Sequence, residues 1–126
     1  YTNSPLCAPS RFVMMIGRLP SNISTWDNAV EFSAEVPTFA HYLEAAGYRT
    51  CLSGKMHFVG PDQLHGFGDR LTTDVYPSDF TWHPEWDRPD DKLDWFHNME
   101  VVTQAGPCVR SMYLDYDDEV IFRAKR

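Results

Sequence analysis

The sequence predicts an α/β fold with parallel strand pairing, and two adjacent stretches carry that expectation. The first is Pro37-Thr38-Phe39-Ala40-His41-Tyr42-Leu43-Glu44-Ala45-Ala46-Gly47. Pro37 suits a helix entry and Gly47 a helix stop. Phe39, Tyr42, Leu43 and Ala46 recur at i, i+3, i+4 and i+7, which predicts one buried helical face. The second is Tyr48-Arg49-Thr50-Cys51-Leu52-Ser53, a strand broken by Gly54. Helix, glycine and short strand form the return arm of a βαβ unit, whose strands run parallel. In such sheets chemistry gathers in loops beyond the carboxyl ends of the strands, and Lys55 and His57 fall at that edge.

The other elements follow in chain order. Ser4-Pro5-Leu6-Cys7-Ala8-Pro9-Ser10-Arg11 leads into the apolar run Phe12-Val13-Met14-Met15-Ile16, closed by Gly17. Pro9 suits the first turn of a helix, and Gly17 suits its C-terminal stop. Cys7 therefore belongs at or just before a helix N-terminus, where free N–H groups favour anions. Arg11 lies one turn on, on the same face. Residues 18–37 read as mostly irregular, and the sequon Asn22-Ile23-Ser24 is too short to carry weight. Residues 60–110 hold no convincing long helix. They are punctuated by prolines 61, 77, 84, 89 and 107 and dense in aromatics, the pattern of a functional loop or lid. Residues 115–122 begin a last helix.

Length and composition bound the function. The chain has 126 residues, 43% of them hydrophobic and 14% aromatic, which fits a folded globular unit. Its net charge of −7 and the lack of a basic cluster argue against a nucleic-acid partner. No apolar run reaches the roughly 18 residues of a membrane span. Tyr1 stands first, no signal-peptide pattern is present, and the last helix is still in progress at Arg126, so the chain reads as part of a larger protein. Three widely spaced cysteines give neither a disulfide framework nor a metal pair, which favours a reducing, cytoplasmic setting.

Two small constellations carry chemistry. Cys7 with Arg11 is either a buried structural cysteine near a surface arginine, or an activated nucleophile beside an anion-binding arginine. Gly54-Lys55-Met56-His57 sets a point charge and a proton acceptor two residues apart after a strand. By itself this pair is equally a surface lysine beside a satisfied core histidine.

Cys7-Ala8-Pro9-Ser10-Arg11 resembles the first signature of the type I sulfatases, and Gly54-Lys55-Met56-His57 is similar to the second, in the right order and at a similar spacing. Gly17-Arg18-Leu19-Pro20-Ser21, residues 48–67 and Arg70-Leu71-Thr72-Thr73-Asp74 look like the choline-sulfatase branch. The resemblance implies an alkaline-phosphatase-like fold with a mixed, mainly parallel sheet flanked by helices. Residues 1–126 would be an incomplete N-terminal part of its catalytic domain, with the aromatic- and Pro-rich loop at about 60–110.

The family's roles carry over residue by residue. Cys7 matches the precursor of formylglycine, the residue made from cysteine by a formylglycine-generating enzyme. Arg11 matches the arginine that steadies it, Lys55 the lysine near its hydroxyl and the sulfate, and His57 the histidine that removes a proton from the second hydroxyl. One oxygen of the hydrated aldehyde displaces choline from sulfur, and deprotonation of the other expels sulfate. The resemblance also implies a divalent metal, Ca2+ or else Mg2+ or Mn2+. Its ligands would be modified Cys7, an Asp pair and an Asp/Asn pair, and neither pair has a match here. Asp117-Asp118 lies elsewhere and reads as helix capping.

Choline's quaternary ammonium has no N–H to donate, so an aromatic face is its expected receptor. Trp82 matches a pocket tryptophan of the branch. Asn28 is the next pocket candidate, and His97 could contact sulfate or the leaving oxygen. Trp86 and Trp95 read as packing residues. Ile16 departs from the family, which carries Thr or Ser there. The alternatives are a sulfatase or phosphonate monoester hydrolase for another substrate, and an inactive ligand-binding relative. A homo-oligomer is expected of the full-length protein.

Overall fold

The computed structural model describes residues 1–126 apart from Pro84, Trp86 and residues 92–98, and the backbone alone of Val101. The first helix, α1, runs Cys7–Ile16 and buries Ala8, Pro9, Phe12 and Met15. Gly17 closes it in the left-handed conformation (φ 69°), donating its N–H to the Val13 carbonyl at 2.7 Å. Leu6 occupies the N-cap and has no polar side chain to offer as a cap. The free N–H of Ala8 is instead taken by Asn28 Oδ1 at 3.0 Å. Ile16 ends the helix packed against the core, an apolar role that a Thr or Ser would fill less well.

The core forms where the inner face of α1 meets two loop segments. Phe12 stacks on Phe32 at 4.4 Å between centroids, and Phe58 lies 6.2 Å from each. All three rings are buried, and each contributes about 1.5–3 kcal/mol by leaving water. His65 completes the cluster, its ring 4.5 Å from Phe32 and 4.4 Å from Phe58.

The second helix, α2, spans Phe39–Ala45. Thr38 caps it in a capping box with His41, whose Nδ1 accepts from the Thr38 N–H at 3.0 Å. The helix sits where the pattern predicts, but its rotation differs. Phe39, Tyr42, Leu43 and Ala46 are all exposed, and Ala40 is the residue buried. Polar contacts on the Ala40 side fix this rotation. Glu44 Oε1 accepts from the Thr50 N–H and hydroxyl at 2.8 and 2.6 Å, and Thr38 donates to the His65 carbonyl at 2.6 Å. Gly66 (φ 94°) lets the chain pass, because a Cβ there would meet the His41 backbone nitrogen at 2.6 Å.

A two-stranded sheet follows. Strand β1 (Cys51–Leu52) pairs in parallel with β2 (Asp69–Arg70), in the register Cys51 to Asp69 and Leu52 to Arg70. The parallel expectation holds, but the partner comes after β1 rather than before α2. The crossover between the strands is an ordered loop instead of a helix. The carboxyl ends of both strands therefore open on one edge, and residues 53–57 and 71–76 meet there.

Apart from β2, residues 60–110 carry a 3-10 turn at Phe80–Trp82 and the short helix α3 (Glu100–Thr103) among the described residues. The last helix, α4, spans Met112–Ala124, starting earlier than the sequence predicts. Ser111 caps it, accepting from the Leu114 N–H at 3.2 Å. Asp117 and Asp118 are thus not its caps: both lie within the helix, and Asp118 pairs with Arg110 at 2.8 Å. Helix α4 ties onto the sheet edge through Ser53 Oγ to the Val120 carbonyl (2.9 Å) and Tyr116 to the Thr73 carbonyl (2.9 Å). No helix of the described residues is long and apolar enough to cross a membrane.

Two buried imidazoles make stability depend on pH. Burial lowers the pKa of both His57 and His65, with Lys55 adding at His57 and His41 at His65. Below the ordinary histidine value of about 6.5 the unfolded chain binds these protons before the folded chain does. Their neutral forms therefore cost nothing above that pH, and stability falls as pH drops toward the lowered folded values. In the full-length protein the thermal midpoint is expected to fall between about pH 7.5 and 5.5. His65→Asn, which tolerates the φ of 43°, should flatten that slope, and an equal slope in the variant contradicts the assignment.

Candidate active site

Four segments converge at the open edge of the sheet. Helix α1 presents Cys7 in its first turn, with Arg11 one turn later. The Arg11 guanidinium donates from Nη1 to the Cys7 carbonyl and from Nε to the Lys55 carbonyl, both at 3.3 Å. Arginine thereby ties the start of α1 to the loop that follows β1.

Gly54 (φ 111°) turns the chain out of β1, donating its N–H to Thr72 Oγ1 at 2.8 Å. Lys55 is then aimed back at α1, and its Nζ lies 3.3 Å from Cys7 Sγ. The same ammonium sits 4.1 Å above the ring of Tyr76, held by cation–π attraction. Cys7 forms no disulfide and is half-buried. Lys55 thus meets its sulfur, Arg11 binds its carbonyl, and it stands at the positive end of a helix. That environment suits negative charge on whatever group occupies the end of side chain 7.

His57 is buried, and its Nε2 lies 3.0 Å from the Asn28 carbonyl. A carbonyl only accepts, so Nε2 carries the proton and Nδ1 keeps its lone pair. Nδ1 is buried with no hydrogen-bond partner among the described residues. Burial lowers the His57 pKa, and the nearby Lys55 charge lowers it further, against the contrary effects of the Asn28 bond and Asp74. At neutral pH the ring is therefore an uncharged base.

Trp82 is buried, with its indole N–H donated to the Pro77 carbonyl at 2.8 Å. Its ring lies 5.0 Å from His57 and 5.9 Å, edge to face, from Tyr76. Burial and a hydrogen bond with Tyr113 push the Tyr76 hydroxyl up to about 12, so it stays protonated.

Cys7, Arg11 and Lys55 are joined by direct contacts, as are Asn28, His57 and Trp82, and the ring of Tyr76 and the Ala8 N–H link the two groups into one patch. His97 lies outside the described residues, as do Trp86 and Trp95. A cleft of about 570 Å³ opens beside Arg11 and Lys55, but Cys7, His57 and Trp82 do not line it. Tyr76 and Asp74 belong to the patch and were not singled out as site residues from the sequence. Their place beyond the carboxyl end of β2 was the available signal. Among the described residues no group of three or more His, Cys, Asp or Glu could hold a metal ion.

A half-buried cysteine at a helix start, with arginine and lysine beside it and a buried neutral histidine nearby, makes a patch suited to negative charge on an α/β scaffold. The family is plain from the sequence match. The chain belongs to the sulfatase family, whose profile, described as Sulfatase, matches residues 1–122. It is 55% identical to a choline-sulfatase of Rhizobium meliloti (strain 1021) over an alignment of 127 residues, covering all of this chain and 25% of that protein. It is 36% identical to the uncharacterized sulfatase YidJ of Escherichia coli (strain K12) over 82% of this chain and 18% of that protein. To arylsulfatase K of Xenopus laevis it is 38% identical over 60% of this chain and 14% of that protein. The chain thus spans about a quarter or less of the length of these relatives.

Proposed function

We propose that the full-length protein hydrolyses choline sulfate to choline and sulfate, at a site whose nucleophile is formylglycine made from Cys7. The observation that carries this reading is the contact between Lys55 Nζ and Cys7 Sγ, with Tyr76, His57 and Trp82 packed in sequence behind it. The 55% identity to a choline-sulfatase supports the substrate.

Cys7 fits the modification: the residue is half-buried, and its sulfur stands where a hydroxyl oxygen would receive the Lys55 ammonium. Formylglycine supplies a hydrated aldehyde, with one hydroxyl to attack sulfur and a second whose deprotonation releases sulfate. The surrounding residues divide the remaining work. Arg11 and Lys55 offset the negative charge of sulfate, helped by the N-terminus of α1. His57, uncharged at neutral pH, takes a proton at Nδ1. Asn28 caps the Ala8 N–H through Oδ1 and fixes the His57 tautomer through its carbonyl, so it positions both partners as it lines the pocket. Trp82 and Tyr76 offer aromatic faces to the choline ammonium, and His97 would complete the substrate contacts.

The described residues do not form a divalent metal site, so the ligands for Ca2+, Mg2+ or Mn2+ other than residue 7 would come from outside them. The finer fold, an alkaline-phosphatase-like domain with a mainly parallel sheet, is supported by the family match and the parallel β1–β2 pair. A formylglycine-generating enzyme as partner, a homo-oligomer and a cytoplasmic location complete the reading.

The pocket assignment is tested by the ratio of kcat/KM for choline sulfate to that for an aryl sulfate. Loss of a cation–π contact of about 1–2 kcal/mol should lower that ratio about 5- to 30-fold in full-length Trp82→Ala. Trp82→Phe, which keeps a π face, should recover most of it. An equal loss on both substrates contradicts the assignment.

A further inference from the structure

The Lys55–His57 segment is held in place by a second set of residues that the proposed chemistry does not use. Asp74 Oδ2 accepts from the Met56 N–H at 2.9 Å and from the His57 N–H at 2.6 Å. Its carboxylate is 1% exposed. Arg70 Nη2 reaches the same oxygen at 3.3 Å. Arg70 is anchored in turn, donating from Nη1 to the Gln63 carbonyl at 2.9 Å and to Gln63 Oε1 at 2.6 Å. Gln63 Nε2 closes the circuit by donating to the carbonyls of Phe58 and Gly60, both at 2.8 Å. This circuit encloses a backbone that needs holding. His57 has φ 60°, a left-handed conformation that a residue with a Cβ adopts at a cost of order 1–3 kcal/mol.

We propose that Asp74, braced by Arg70 and Gln63, is a positioning residue that holds the Met56–His57 backbone in this conformation and so aims Lys55 at Cys7 and His57 toward Asn28. The proposal deepens the sulfatase reading and rests on it for its kinetic consequences. The geometry separates two tasks. The loop after β1 carries Lys55 and His57, and the loop after β2 carries the carboxylate that clamps them. A carboxylate suits the clamp because one oxygen accepts two successive N–H groups and a guanidinium, a convergence that charge strengthens. The alternative for this carboxylate is a substrate contact. Its burial and its four donors from the protein, the Val75 N–H on Oδ1 included, argue against that role.

The test uses the full-length enzyme with formylglycine and metal in place. Asp74→Ala should lower kcat for choline sulfate by about 10- to 100-fold, as loss of a supporting hydrogen-bond partner does at other sites, with KM within about threefold. Asp74→Asn retains an acceptor oxygen and should recover part of the loss. It also keeps the test alive should the alanine variant fail to fold. The acid limb of the kcat profile adds a readout that loss of folded protein alone does not move. His57 faces Lys55 on its own loop, Arg11 from α1, the Asn28 carbonyl, the rings of Tyr76 and Trp82, and Asp74. Asp74 opposes the two cations there, so removing its charge should move that limb to lower pH. A variant with wild-type kcat and an unmoved limb overturns the proposal. Should the wild-type enzyme not turn over choline sulfate, the substrate reading fails and crystal structures of the variants decide this one alone. His57 leaving the left-handed region, with Lys55 drawn away from residue 7, supports it, and an unchanged backbone overturns it.

Discussion

Cys7→Ser in the full-length enzyme is expected to abolish multiple turnover of choline sulfate, lowering kcat by at least about 10⁴-fold. The reason is chemical rather than structural. Serine occupies the same first-turn position of α1, keeps Arg11 and Lys55 beside it, and can displace choline from sulfur with its one hydroxyl. The sulfate ester so formed has no second hydroxyl on the same carbon, so the route that expels sulfate is closed. A single turnover followed by arrest, with sulfate on residue 7 detected by intact mass, is the expected result. Steady turnover by Cys7→Ser at a rate near wild type contradicts the mechanism, because it would mean that an ordinary hydroxyl suffices.

His57→Gln has the next largest expected effect, a fall in kcat of about 10²- to 10⁴-fold, the range over which general base catalysis acts. Glutamine can still donate to the Asn28 carbonyl, so the segment keeps that tie while losing the base. In the wild-type enzyme kcat should decline as pH falls through a value below about 6.5, because burial and Lys55 lower the His57 pKa. That acid limb should vanish in His57→Gln. An unchanged limb in the variant would assign the proton acceptor to another group.

The site was legible in the sequence to the extent that its chemistry sits in contiguous stretches. Cys7 and Arg11 are one helical turn apart, and Lys55 and His57 follow a strand end, so local geometry alone places each pair. The structure adds the contact between the pairs, Lys55 Nζ to Cys7 Sγ, which depends on the turn at Gly54 and on Arg11 binding the Lys55 carbonyl. Asp74 and Tyr76 are marked in the sequence only by their place after a strand, because their partners are backbone N–H groups and a lysine some 20 residues away. The fold was legible where glycine and proline punctuate it, as at Gly17, Gly47 and Gly54. The rotation of α2 was not, because hydrophobic periodicity assumes that apolar residues face inward. Glu44, bonded to Thr50, and Thr38, bonded to the His65 carbonyl, override it and leave Phe39, Tyr42 and Leu43 exposed. The start of α4 was missed because Ser111 is a cap without a neighbouring Glu or Gln to mark it.

The central claim is that Cys7 is a precursor and not a working thiol. Mass spectrometry of the Cys7 peptide, from full-length protein made in a cell with formylglycine-generating machinery, tests it most directly. The expected result is the aldehyde or its hydrate at position 7 in the active fraction. Active protein carrying an unmodified thiol at position 7 contradicts it.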